Sequence, residues 1–176
     1  MRAQFAISTL ALLVLTLVAS ISPASAVTDT FACADFRTGP GIITGGSYWD
    51  THGIDDGITE DLQEGLVNGI SHLTHVWKFC SVPAGTQSIV LEGTRVLGPD
   101  GDNFQFSYAL GCDSTVYQTI PNASIKKPFY PLGGQTYSMN ITTSATVDFY
   151  IMINDTAAGG NLDTVKVDYL AIHTTP

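Results

Sequence analysis

The chain has 176 residues, with 16 acids against 7 bases and a formal net charge of −9. A surface this acidic repels nucleic acid and anionic lipid, which excludes functions built on phosphate neutralisation and leaves cations and neutral partners. With 44% hydrophobic residues, no charge block and no low-complexity linker, the composition is that of one folded domain large enough to build its own core.

The first element in chain order is a leader. Arg2 supplies a positive start, Ile7 to Ile21 is mostly apolar, and Ala24-Ser25-Ala26 is an A-x-A cleavage site. Residues 1–26 are therefore expected to be a signal peptide and 27–176 a single mature domain, secreted to the extracellular space or periplasm. The apolar core is short for a membrane anchor, and no later run approaches membrane-spanning length. The leader carries one base and no acid, so the mature chain is more acidic still. In an oxidising compartment Cys33, Cys80 and Cys112 allow one disulfide and one spare thiol, with three pairings open. No C-x-x-C spacing suggests zinc or thioredoxin-type chemistry.

Val27 to Gly41 reads as an N-terminal strand or arm, and Ile42 to Asp50 as a glycine-rich strand with its exit at Tyr48-Trp49. Ile58 to Val67 is ambiguous, since Thr59 before Glu60 and Asp61 is a possible cap for a short helix. From Gly69 to Ser81 the period is two: Leu73, His75, Trp77 and Phe79 alternate with Thr74, Val76, Lys78 and Cys80. Gln87 to Leu97 follows as a strand, and the turn formers Gly98 to Asn103 then lead into alternating Phe104, Phe106 and Tyr108, completing a hairpin. Thr115 to Ile120 continues the pattern, and Pro121 to Gly134 is expected to be irregular. Gln135 to Ile141 and Ala145 to Ile153 are strands. The polar loop Asn154 to Asp163 then leads into a last alternating run through Val165, Val167 and Tyr169. Roughly eight or nine short strands with almost no helix predict an all-β, antiparallel two-sheet sandwich of jelly-roll type, its strand order unspecified.

Three stretches carry a family resemblance. They are Leu73-x-His75-x-Trp77-x-Phe79, then Gly101-Asp102-Asn103-Phe104-x-Phe106-x-Tyr108, and finally Asp155 through Gly160-Asn161-Leu162-Asp163-Thr164-x-x-Val167-Asp168. Together they resemble a secreted bacterial β-sandwich accessory domain, akin to jelly-roll carbohydrate-binding modules and galactose-binding-like domains. The resemblance implies a non-catalytic domain that sits beside catalytic or adhesive partners and binds sugars or calcium.

The residues themselves offer several sites. Asp155, Asn161 and Asp163, with flexible Gly159 and Gly160 between, supply the oxygen donors calcium prefers, although Asx-turns account for the same residues. Asp50, Asp55, Asp56, Glu60, Asp61 and Glu64 form a second acidic group that reads as a solvated edge, and Asp100, Asp102 and Asn103 a third that reads as a hairpin turn. Tyr48 and Trp49 beside Asp50 make a sugar-stacking platform if exposed, or Trp49 plugs the sandwich. His72 and His75, three apart on a strand, face opposite ways and cannot chelate together, so His75 reads as a hydrogen-bonded core histidine.

The expected function is a secreted, non-catalytic binding module for a glycan or cell-surface component, with calcium as a possible structural ion. The alternative is an extracellular structural or adhesive protein without a small ligand. An enzyme is disfavoured. A glycosidase needs facing carboxylates about 5–10 Å apart; Glu92, Asp148 and Asp168 are the strand-borne acids, and Asp148 and Asp168 are the pair expected to share an exposed face.

Overall fold

The computed structural model describes residues 26–54, 56–96, 103–111, 116–125, 134–156 and 159–176. Most of the expected leader, the turn from Gly98 to Asp102, Asp55, Cys112, Lys126-Lys127 and Ala157-Ala158 lie outside these residues. Among the described residues no helix is long and apolar enough to cross a membrane.

Twelve strands are described: β1 (Thr28–Thr38), β2 (Ile42–Gly45), β3 (Glu60–Gln63), β4 (Gly65–Val67), β5 (Ile70–His72), β6 (Thr74–Val82), β7 (Gly85–Val96), β8 (Phe104–Leu110), β9 (Gln118–Ile125), β10 (Gln135–Thr143), β11 (Val147–Asp155) and β12 (Thr164–Thr175). One 3-10 turn, Tyr48–Thr51, interrupts them. All pairings are antiparallel, and β1 carries the hydrogen bonding from one sheet to the other. Its first half, Thr28 to Phe31, pairs with β12; after Ala32 it changes partner and pairs with β6. The first sheet is β10-β7-β12-β1 and the second β1-β6-β11-β8-β9. Counting the eight long strands in chain order, the sheets run first-eighth-third-sixth and second-seventh-fourth-fifth, which is jelly-roll topology.

The period-two pattern explains the core. Trp77, Phe79, Phe104, Phe106, Phe149, Ile151, Ile89, Leu91, Val165 and Val167 all project between the sheets and are buried. Trp77 of β6 and Phe106 of β8 stack across the intervening β11 with ring centroids 6.2 Å apart. The disulfide is Cys33–Cys80, joining β1 to β6 where β1 bulges between Ala32 and Ala34.

Two expectations are corrected. Thr59 caps no helix: its hydroxyl donates to Asp61 Oδ1 at 2.6 Å, and Glu60 to Gln63 pair with β12 as a strand. Period two wins there because it buries Glu60 and Leu62 on one face. Pro121 to Ile125 are not irregular but belong to β9. This strand lies at the sheet edge, where proline's missing N–H breaks no ladder. A register shift at this point is bridged by Gln105, whose side-chain amide donates to the carbonyls of Ile120 and Ala123 at 3.0 and 2.8 Å.

Candidate functional site

Two features stand out, one on the surface and one behind it. The surface feature is the 3-10 turn. Ser47 N–H donates to Asp50 Oδ2 at 2.7 Å, so the Asp50 carboxylate caps its own turn. Thr51 Oγ1 donates back to the Tyr48 carbonyl at 2.8 Å. His52 closes the turn: its Nε2 lies 3.0 Å from the Ala32 carbonyl. A carbonyl only accepts, so Nε2 carries the proton, and burial lowers the His52 pKa and favours that neutral ring. The result is a fixed aromatic group. Tyr48 and Trp49 lie 4.8 Å apart, tilted by 32°, and His52 meets Trp49 edge-on at 5.2 Å. Trp49 is 64% exposed and does not plug the sandwich, while Tyr48 is half-buried against the core.

The buried feature is a cluster that the sequence reading did not assemble. Asp35 comes from β1, His75 from β6 and Glu60 from β3, so one sheet supplies two groups and the opposite sheet the third. His75 Nε2 lies 3.3 Å from Asp35 Oδ1 and 3.4 Å from Glu60 Oε1. One donor atom from each residue falls within 4.8 Å of the others, an arrangement able to hold a metal ion. Glu60 and His75 are fully buried, and Asp35 retains 24% side-chain exposure. The outward-facing atoms are held: Trp77 Nε1–H donates to Glu60 Oε2 at 2.6 Å, and His75 Nδ1 pairs with Thr38 Oγ1 at 2.7 Å. The three inward-facing atoms have no hydrogen-bond partner.

Burial dominates the electrostatics. Desolvation, with the Asp35 charge adding to it, pushes the Glu60 carboxyl up to about 8 despite the Trp77 hydrogen bond. The same desolvation takes His75 down to about 4, against the pull of Asp35. The isolated cluster therefore holds a protonated Glu60 and a neutral imidazole at neutral pH.

The acidic group read as a solvated edge is split by the fold. Glu60 and Glu64 are buried, Asp50 and Asp61 half-buried, and Asp56 exposed. Asp61 pairs with Lys166. The closing-loop residues are spread over three environments: Asp155 half-buried at the end of β11, Asn161 exposed and Asp163 buried. Asp163 and Glu64 clasp each other, Asp163 N–H donating to Glu64 Oε2 at 2.7 Å and Glu64 N–H to the Asp163 carbonyl at 3.0 Å.

His75 is a core histidine, as its strand phase indicates, but it is also a cluster member. The signal was present: once Ile58 to Val67 is read as strand, Glu60 joins Leu62 in the buried phase, and a buried glutamate requires a partner. Asp148 and Asp168 do not share a face. Asp148 lies on β11 in one sheet and Asp168 on β12 in the other, and Asp148 is bound by Lys78 at 3.0 Å and Ser81 N–H at 2.9 Å.

No family model matches the chain, and no curated protein does. Among solved structures it is similar to a truncated AlyQ with CBM32 and alginate lyase domains (16% identity, 86% of this chain, 34% of that one, TM-score 0.46). It is also similar to TmCBM61 in complex with β-1,4-galactotriose (8% identity, 69% and 86%, TM-score 0.41) and to a bacteriophage CBA120 tailspike (10% identity, 84% and 19%, TM-score 0.37). The chain spans about a third of the AlyQ structure's length. Likenesses this distant carry no ligand or activity to this protein; its fold rests on the strand pairing described above.

Proposed function

We propose that this protein is a secreted, non-catalytic module that binds carbohydrate on the Trp49 face. The observation that carries this reading is an indole exposed to 64% on a turn that its own capping bonds hold rigid. An exposed tryptophan is costly in water, and a flat ring held in place stacks on the apolar face of a sugar with little further loss of entropy. Tyr48 supports the ring from behind, and the Asp50 oxygen not used for capping accepts from sugar hydroxyls. A calcium ion at Asp155, Asn161 and Asp163 belongs to the same proposal, supported by the carboxylate and amide oxygens that this one loop supplies.

Glycan-array and affinity-electrophoresis measurements test it. Trp49→Ala abolishes retention on the bound glycan while leaving the melting temperature unchanged. Binding that survives Trp49→Ala, or no retention on any glycan tested, defeats the reading.

One observation favours the adhesive alternative. β2 exposes Ile42 and Ile43, and the β4–β5 hairpin exposes Leu66, Val67 and Ile70. Concentration-dependent sedimentation, abolished by Leu66→Ser with Val67→Ser, supports assembly through this edge. A monomer at all concentrations removes that support.

A further inference from the structure

We propose that Asp35 Oδ1, Glu60 Oε1 and His75 Nε2 form a binding site for a zinc-class divalent transition-metal ion between the two sheets. The spacing fits. A tetrahedral zinc with bonds of about 2.0–2.1 Å holds its ligands about 3.3 Å apart, and the two separations at His75 Nε2 are 3.3 and 3.4 Å. A hydrogen bond explains those distances poorly, since N–H···O contacts cluster near 2.9 Å.

The donor set selects the metal class. Calcium takes six to eight oxygen ligands, and this site offers three protein atoms, one of them an imidazole nitrogen. Imidazole with carboxylates suits zinc and its first-row neighbours. Zinc in such a site keeps a further position for water.

The outer partners are those a metal site requires. With Nε2 on the ion, Nδ1 carries the proton and donates to Thr38 Oγ1. Trp77 holds the second Glu60 oxygen and so aims the first inward. Two fully buried side chains thus direct unpartnered polar atoms at one point. Asp35, still part-exposed, marks the way in. An ion there balances the two carboxylates and ties β1 and β6 of one sheet to β3 of the other.

The site is independent of the glycan reading, because Trp49 and the closing loop contribute no ligand. Purified, EDTA-stripped and desalted protein is titrated with Co²⁺, then with Zn²⁺. One equivalent of cobalt is expected to develop the intense visible bands of tetrahedral coordination, zinc to bleach them, and zinc to raise the melting temperature. Asp35→Asn, at a part-exposed position that spares the core, weakens cobalt binding at least tenfold. Thr38→Val weakens it less, while Asp163→Ala and Trp49→Ala leave it unchanged. Absence of saturable tetrahedral bands overturns the proposal. So does full affinity in Asp35→Asn, or loss of binding in Asp163→Ala with Asp35→Asn unaffected.

Discussion

The indole N–H of Trp77, on β6, donates to Glu60 Oε2 of β3 at 2.6 Å, joining the two sheets by a fully buried hydrogen bond. Trp77→Phe retains most of the ring volume and removes the donor. The stranded glutamate oxygen is expected to cost about 1–3 kcal/mol, as a buried polar group losing its partner does. Urea unfolding checks this. Combining the change with Glu60→Leu recovers part of the loss, because an apolar residue has no bond to miss.

The metal-free cluster predicts an unusual pH profile. Glu60 titrates at about 8 in the fold against 4.5 ordinarily, so the folded protein keeps a proton that the unfolded chain releases. Its contribution is complete below about pH 4.5 and is lost as pH rises toward 8. His75, at about 4 against 6.5, contributes fully above 6.5 and loses its contribution as pH falls toward 4. Between 4.5 and 6.5 the two slopes cancel; above 6.5 Glu60 acts alone. In EDTA, stability should fall between pH 6.5 and 8, and Glu60→Gln should flatten that fall. An equally steep fall in the variant counts against the assignment.

The Cys33–Cys80 bond closes 47 residues of chain, including the 3-10 turn and β2 to β5. Loop-closure entropy for that length amounts to about 4 kcal/mol. Replacing both cysteines with alanine should lower the guanidinium midpoint accordingly, and reduction of the parent protein should reproduce the effect.

Gly46 is where the platform meets the cluster. Its φ is +67°, and a β-carbon there would stand 2.3 Å from the Thr59 carbonyl, 3.0 Å from Asp50 Oδ2 and 3.1 Å from Glu60 Cα. Backbone cannot yield as a flexible side chain can. Gly46→Ala should therefore lower both the melting temperature and glycan retention, whereas Gly57→Ala, with positive φ but open space, should cost stability alone.

The sandwich was legible because strand alternation is local: Leu73 to Phe79 and Phe104 to Tyr108 declare their inward faces within a few residues. The surface platform was partly legible, since Tyr48, Trp49 and Asp50 are contiguous, but exposure of Trp49 depends on Ser47 and Thr51 fixing the turn. The cluster was legible only at Glu60, and only if its segment is read as strand. Its members come from three strands and two sheets, and Asp35 lies beside a bulge between Asp35 and Arg37 where alternation fails. A capping signal at Thr59 hid Glu60 by suggesting helix where β12 supplied a strand partner.

β12 has β7 along one side, and β1 and β3 along the other. β12 is thus the centre of its sheet rather than its border. A nascent chain that ends before Thr164 holds three first-sheet pieces that are not hydrogen-bonded to one another: the β7–β10 pair, the β2–β3 pair and the start of β1. Folding of this sheet must then wait for Thr164 to Thr175 to be made, and partners so distant in sequence are found slowly. A stop codon before Thr164 would remove the keystone, leaving no shorter version of the same domain.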